Sequence, residues 1–189
     1  MVIYANDFEE DTSSIVGAEQ TQIDENTVLG AFHNDGFRLD LTDLPEHRYI
    51  QLNFRLFIHD SWDGNLAGPN GPDLWSVRIS DNEKNPNNRD AIFRTTFSNF
   101  TSIVRPQSFP NDFPYFNIPK TGSIESSTGI CVNAADPTGT AIYDVERIFR
   151  HTDNTAYIFF SDELKQTNSE DPGCDESWSL DDLTITIWN

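Results

Sequence analysis

The clearest pattern in the chain is a strict alternation of apolar and other residues from Tyr49 to Asp60, YIQLNFRLFIHD. Successive side chains of an extended chain point to opposite faces, so a period of two indicates a strand. One face of this segment is wholly apolar and is expected to lie in the core: Ile50, Leu52, Phe54, Leu56 and Ile58. The segment is therefore predicted to be a long, half-buried strand.

Shorter segments with the same period occur along the rest of the chain, at Phe37–Leu41, Trp75–Ile79, Tyr143–Phe149, Ala156–Phe160 and Leu183–Ile187. Turn-forming clusters separate them, including Asn34–Gly36, Asp63–Asn65 and Gly68–Pro72. No window has the apolar stripe of an amphipathic helix. We therefore predict an all-β chain, a jelly-roll β-sandwich of two antiparallel sheets with long acidic loops. Residues 1–189 are expected to form a single domain.

The stretch from Arg105 to Ser127 departs from the strand pattern. It contains four prolines, which cannot donate a ladder hydrogen bond and are excluded from central strands: Pro106, Pro110, Pro114 and Pro119. We expect a long ordered loop or a set of irregular edge segments here.

The charge of the chain limits its partners. Asp and Glu total 31 against 12 Lys and Arg, which gives a net charge of −19. Nucleic acid phosphates and an anionic membrane surface would both repel such a protein. No stretch approaches the roughly 20 apolar residues of a membrane helix. We predict neither nucleic acid binding nor membrane insertion, and the sequence leaves the oligomeric state open. Excess carboxylate serves solubility or the binding of hard cations.

Two cysteines, Cys131 and Cys174, lie in polar, loop-like segments. An even pair in an acidic, loop-rich β protein favours a disulfide and an oxidising compartment, with two separate thiols as the alternative. We therefore expect a secreted or cell-surface protein. The chain starts directly in a predicted strand without a signal peptide, so we expect any leader to have been removed.

Acidic residues gather at both ends of the chain, in Asn6–Asp11 and in Glu176–Asp182. First and last strands are neighbours in many sandwiches, which would bring these carboxylates together. Calcium, with its 6–8 oxygen ligands, would offset their repulsion. Asp181 and Asp182 point to opposite faces of a strand, so only one of them is expected to be a ligand. The alternative is a solvated acidic strand end.

The opening NDFEE and the closing SWSLDDLTI resemble the two ends of MAM-type and other concanavalin-like jelly-roll domains. The resemblance covers the termini alone. It implies an extracellular domain with a structural calcium where the ends meet, and it makes Asp7, Glu9 and either Asp181 or Asp182 candidate ligands. The MAM family generally has two disulfides, whereas this chain has two cysteines and can form only one.

A second acidic cluster directly follows the long predicted strand, in Asp60–Asn65 and at Asp73. Its side chains offer oxygen ligands, and its glycines allow tight turns. The candidate calcium ligands here are Asp60, Asp63, Asn65 and Asp73. The cluster lacks the spacing of an EF-hand. The alternative is a turn in which Asp and Asn bond their own backbone. The four histidines have no paired spacing, so zinc is not predicted.

Catalytic signals are weak. Jelly-roll glucanases carry two carboxylates on one strand as E-x-D-x-x-E, and this arrangement is missing. Asp144 and Glu146 share a strand face with Ile142 and Ile148, which suits an exposed ion-pair surface better. No G-x-S-x-G elbow and no glycine-rich phosphate loop occurs. We do not predict an enzyme, although a glycan-active hydrolase or lyase remains an alternative.

Two surfaces are candidates for ligand binding. If the strands are neighbours, Asn53 and Arg55 lie beside Arg78, and these arginines could hold an anionic sugar; internal salt bridges are the alternative. Loop aromatics could instead stack on sugar rings, namely Trp62, Tyr115 and Trp178, with burial in the core as the alternative.

The sequence thus predicts a calcium-stabilised extracellular recognition module, with Ca²⁺ as its cofactor. Its expected partner is a carbohydrate or cell-surface glycan, or it mediates adhesion. A purely structural or protein-interaction module of a larger secreted protein is the first alternative, and a glycan-active hydrolase or lyase is the second.

Overall fold

The computed structural model of the protein describes residues 1–23, 25–84, 86–87, 91–131, 139–165 and 172–189. Within these residues the chain forms strands and one four-residue helix. The strands are β1 (Val2–Asn6), β2 (Ile15–Val16), β3 (Gln20–Ile23), β4 (Asn26–Phe32), β5 (Gly36–Leu41), β6 (Tyr49–Asp60), β7 (Leu74–Ser80), β8 (Ala91–Thr96), β9 (Glu125–Ser127), β10 (Thr140–Arg150), β11 (Ala156–Glu163) and β12 (Glu176–Trp188). The helix, α1, spans Pro172–Asp175.

The strands form two antiparallel sheets. The β6 sheet has the order β3-β4-β12-β6-β10-β9, and β1 also pairs with β12. The β7 sheet has the order β2-β5-β11-β7-β8. From β4 to β7, and again from β10 to β12, each strand lies in the sheet opposite to the strand before it, which is the connectivity expected of a jelly roll. The predicted all-β sandwich of two antiparallel sheets is confirmed.

The core lies between the two sheets and is rich in aromatic rings. The apolar face predicted for β6 is buried along its length. Opposite it, Trp75 of β7 packs edge-on against Trp178 of β12, with ring centroids 5.6 Å apart. Burial of this apolar surface, at about 25 cal/mol per Å², is the main favourable term in folding. The core therefore holds the strand ends in fixed positions.

The first and last strands are neighbours, as expected. Ala5 pairs with Thr184 and Asn6 pairs with Leu183. Strand β4 pairs with the same edge of β12, in the earlier part of that strand. Strands β4 and β1 therefore lie one after the other along this edge of β12. The pairing brings the two acidic ends of the chain side by side.

The proline-rich loop, residues 105–124, is ordered and held by side-chain amides. The backbones of Gln107 and Asn117 hydrogen-bond to each other in both directions, at 3.1 and 2.8 Å. The side-chain oxygen of Gln107 accepts from the backbone N–H of Lys120 at 2.8 Å. Phe109 is buried in the core. The stretch from Arg105 to Ser127 thus contains both expected alternatives, a long ordered loop and, at its end, the short edge strand β9.

The predicted disulfide is also confirmed: Cys131 and Cys174 are bonded, with their Cα atoms 5.1 Å apart. Within the described ranges, no helix has the length and apolar character needed to span a membrane.

Candidate metal centre

Three buried acidic side chains meet at one end of the sandwich. Asp63, Asp73 and Glu176 each present a carboxylate oxygen, and these oxygens all lie within 4.8 Å of one another. We call these residues the acidic triad. They are 6%, 0% and 1% exposed, respectively. Oxygen atoms so grouped suit a hard cation.

The local backbone explains how the triad is assembled. Strand β6 ends at Asp60, whose φ of 61° lies in the left-handed region and ends the extended backbone. Gly64 also has a positive φ, and a Cβ there would lie 2.3 Å from the carbonyl oxygen of Pro106, so only glycine fits. Asp63 lies in this turn and Asp73 directly precedes β7. Glu176 begins β12 and pairs with Asp60 across the sheet.

Asp63 is held by its neighbours on both sides. Its backbone N–H donates to Asp73 Oδ2 at 2.6 Å. Its carboxylate forms an ion pair with Arg105, at the start of the proline-rich loop. The Arg105 guanidinium in turn lies 3.7 Å from the ring centroid of Phe100. Asp63 therefore connects the acidic triad to the proline-rich loop.

Asp73 and Glu176 form the acidic core of the triad. Their side chains are hydrogen-bonded to each other. Burial raises the pKa of Asp73 to about 8, and the nearby carboxylate of Asp175 acts in the same direction. The backbone N–H of Lys165, the hydrogen bond with Glu176 and the charge of Lys165 partly oppose this rise. Because burial disfavours the charged form of a carboxyl group, the pair needs either a proton or a cation near neutral pH.

Asp60 lies beside the triad but is not one of its three members. Burial raises the pKa of Asp60 to about 6, and the backbone N–H groups of Cys131 and Ile130 that bond its carboxylate limit the rise. Its Oδ2 atom is buried and has no hydrogen-bond partner among the described residues. Asp60 therefore adds a further acidic oxygen at this end of the sandwich.

Asn65 was predicted to be a calcium ligand, but its side-chain amide is used in hydrogen bonds within the protein. Its Oδ1 accepts hydrogen bonds from Thr96 Oγ1 at 2.5 Å and from Ser108 Oγ at 2.9 Å. Its Nδ2 donates to the Tyr115 carbonyl at 2.5 Å. The side chain anchors the proline-rich loop, so its amide oxygen is already engaged.

The terminal cluster forms an open cavity of about 540 Å³, lined by Asp7, Glu9 and Asp182 among others. Asp7 Oδ1 accepts the backbone N–H of Glu9 at 3.3 Å, and Glu9 Oε1 accepts that of Thr27 at 3.0 Å. Asp181 points away and accepts from Asn26 Nδ2 at 2.8 Å. In the described part of the chain these acids do not form a three-oxygen group like the triad. They are a more open and more solvent-exposed candidate.

The arginines predicted to share one face lie on different sheets. Asn53 and Arg55 belong to β6, whereas Arg78 belongs to β7, so the expectation that they are neighbours is wrong. Arg55 lies 3.4 Å from Asp144 and 3.4 Å from Asp182. Arg78 donates to Ser161 Oγ. The alternating pattern predicted which face of a strand each side chain occupies. It could not predict to which sheet each strand belongs.

Two of the three aromatic ligand candidates are core residues. Trp62 and Trp178 have no exposed surface, so the expectation that they stack on sugar rings is wrong for this structure. Trp62 instead donates from Nε1 to the Ser177 carbonyl at 2.9 Å. Tyr115 is 53% exposed and its neighbour Phe116 is 65% exposed, both on the proline-rich loop.

Sequence reasoning missed Glu176 as a ligand. It was noted only as part of the acidic terminal segment, 103 positions after Asp73. The sequence does contain a signal for this role. Glu176 lies two residues before Trp178 and four before Leu180, so it shares the strand face that they present to the core. A glutamate on the core-facing side of a strand is rarely left without a compensating partner.

No protein-family model and no curated protein matches the chain. Among solved structures, it is similar to the K2 cleaved adhesin domain of Lys-gingipain (Kgp) at 16% sequence identity and a TM-score of 0.43. The match covers 97% of each chain. Similarity at this level does not establish a shared function.

Proposed function

We propose that this protein is a calcium-stabilised, non-catalytic recognition module that works outside the cell. The observation that carries the calcium part of the proposal is the burial of three carboxylates, Asp63, Asp73 and Glu176, within 4.8 Å of one another. Calcium accepts 6–8 oxygen ligands at irregular geometry, whereas magnesium demands a near-ideal octahedron. A site assembled from a turn, a strand start and a pre-strand loop suits the more tolerant ion.

The proposal that the protein works outside the cell, in an oxidising environment, rests on the disulfide. A Cys131–Cys174 bond fits an extracellular protein, because cytosolic reductants keep most such pairs as thiols. Calcium concentrations outside cells also suit sites of modest affinity. The two features are therefore mutually consistent.

The recognition part of the proposal rests on the proline-rich loop. Its exposed rings, Tyr115 and Phe116, provide flat apolar surface next to the backbone that Asn65 and Gln107 hold in place. A carbohydrate could stack on these rings, and this is the first ligand class to test. Exposed aliphatic side chains just before the loop, Ile103 and Val104, and within it, Ile118, favour a protein partner as the second ligand class.

Catalysis is not part of the proposal. Asp144 and Glu146 are exposed on β10, where Asp144 pairs with Arg55 and Glu146 accepts from Gln51 Nε2 at 2.7 Å. On this open strand face Asp144 thus has an ion-pair partner, and Glu146 is hydrogen-bonded to a neutral amide.

Thermal unfolding in calcium, in excess EGTA and in magnesium tests the cation. A ligand at 100 times its dissociation constant adds about 2.7 kcal/mol to stability, so we expect a clear calcium-specific rise in Tm. Asp73→Asn should abolish the rise. Glu125→Gln, a change on the exposed strand β9, should leave it intact. Absence of a shift together with absence of calcium by elemental analysis would overturn the proposal.

Glycan-array binding tests the ligand class. The wild type should bind a defined set of glycans, and Tyr115→Ser/Phe116→Ser should lose them while keeping the same Tm. If the wild type binds no glycan, the carbohydrate proposal fails and the protein-interaction proposal takes its place.

A further inference from the structure

The disulfide joins two chain segments that lie beside the acidic triad. On one side, the backbone N–H groups of Cys131 and Ile130 hydrogen-bond to the Asp60 carboxylate. The contact is close, because a Cβ on Gly129 would lie 1.9 Å from Asp60 Oδ1. The position of the segment 129–131 therefore determines where the Asp60 carboxylate lies.

On the other side, Cys174 belongs to α1, which leads directly into β12. The carbonyl of Asp175 accepts the Ser61 backbone N–H at 2.7 Å, and its carboxylate accepts Ser61 Oγ at 2.6 Å. The next residue is Glu176, a member of the triad. The segment 174–176 is thus fastened to the same turn that carries Asp60 and Asp63.

We infer that the Cys131–Cys174 disulfide is a positioning element of the cation site, which binds its ion tightly only once the bond has formed. The inference rests on the proposed function. The bond ties the segment that contacts Asp60 to the segment that supplies Glu176. Without it, these segments must be ordered by the cation itself, and that ordering lowers the affinity. Loss of an outer contact of this kind typically costs 10–100-fold in metal affinity.

Calorimetric calcium titration of the wild type and of the double variant Cys131→Ser/Cys174→Ser tests this inference. Both proteins are titrated at a temperature where circular dichroism shows them folded. We expect the Kd of the double variant to rise at least tenfold, within the range for such contacts. A Kd within twofold of the wild type would overturn the inference.

A matched control separates positioning from general loss of stability. Ile185 lies in the core on β12, at the end of the strand away from Glu176. Ile185→Ala should lower Tm by an amount comparable to loss of the disulfide, but its Kd for calcium should stay within twofold of the wild type. If this variant weakens calcium binding as much as the cysteine variant does, the disulfide has no specific role.

A second readout needs no calcium. Amide hydrogen exchange of Ile130 is followed by NMR in EGTA in the wild type and in the cysteine variant. The Ile130 N–H donates to Asp60, so its exchange should become faster in the variant if the disulfide holds this segment against Asp60. If the wild type binds calcium and the exchange of Ile130 is unchanged in the variant, the inference is overturned. If the wild type binds no calcium, the proposed function itself falls.

Discussion

The carboxyl groups of Asp73 and Glu176 are hydrogen-bonded to each other inside the sandwich, in a protein whose net charge is −19. Two charged carboxylates at hydrogen-bond distance repel each other, and burial adds the cost of desolvation. Either a shared proton or a bound cation would relieve the repulsion between these two carboxylates. Competition between proton and cation can be measured, and it separates the proposed metal site from a purely structural acid pair.

We expect the calcium-free protein to lose stability as pH rises toward 8. The pKa of Asp73 is about 8 in the folded state against 3.8 as its ordinary value. The folded state therefore binds more protons than the unfolded state between these pH values, and its stability falls as pH rises. One such group gives a slope of at most about 1.4 kcal/mol per pH unit. Chemical denaturation in EGTA at pH 6.5, 7.2 and 8 measures it.

Comparison of the wild type with Asp73→Asn above pH 6.5 shows the contribution of Asp73. Burial also raises the pKa values of Asp60 and Asp162, but only to about 6, so most of their effect is complete below this window. The buried imidazole of His59 has its pKa lowered to about 3, so it affects stability through protonation of the unfolded state, and this opposite effect fades above the ordinary pKa of 6.5. Asp73→Asn should flatten the slope, and Asp162→Asn should retain it. A flat wild-type profile would contradict the expected pKa of Asp73.

Calcium binding should release protons and should tighten as pH rises. The cation needs the ionised form of Asp73, which is the minor form at pH 7. We expect the Kd to fall up to tenfold per pH unit below pH 8 and to level off above it. Calorimetry at pH 7 in two buffers of different ionisation enthalpy gives the number of protons released. Release of none would mean that calcium binds away from Asp73, for example in the cavity lined by Asp7, Glu9 and Asp182.

The local sequence pattern predicted the strands well. It could not predict which residues of distant strands pairing would bring together. The bounds predicted for β6, Tyr49–Asp60, are those observed, because strict alternation is a local property of the chain. Asp63 and Asp73 were predicted as ligands from their position after this strand. Glu176 joins them only through the pairing of β12 with β6, which no local pattern reveals. Arg55 and Arg78 were placed together wrongly for the same reason.

The predicted turn at Asn34–Gly36 contains a glycine that the sandwich requires. Gly36 starts β5, and a Cβ there would lie 1.9 Å from the Phe160 carbonyl oxygen on β11. Gly36→Ala must push the two strands apart, so we expect a loss of about 1–3 kcal/mol in the free energy of unfolding. Val16→Ala, on the exposed side of the neighbouring strand β2, serves as a control with little effect. Equal stability of Gly36→Ala and wild type in urea denaturation would refute this close approach.

The sequence motif Asn99-Phe100-Thr101 matches a glycosylation acceptor, but the structure uses Asn99 as an internal anchor. Asn99 is 1% exposed. Its Nδ2 donates to the carbonyls of Ile58 and Asp60, both at 2.8 Å, and to that of Gly139 at 3.2 Å. It thereby fixes the end of β6, where the acidic triad begins.

Asn99→Ala should therefore destabilise the protein by about 1–3 kcal/mol, since it leaves buried carbonyls without their donor. The same substitution should weaken calcium binding, because the turn from Asp60 to Asp63 loses its support. Asn111→Ala, on the exposed part of the proline-rich loop, is the control. Folded protein secreted from eukaryotic cells should carry no glycan at Asn99 by mass spectrometry, because a glycan on this buried side chain would be incompatible with its hydrogen bonds to β6. A fully glycosylated, folded product would show that Asn99 is accessible and is not the anchor of β6.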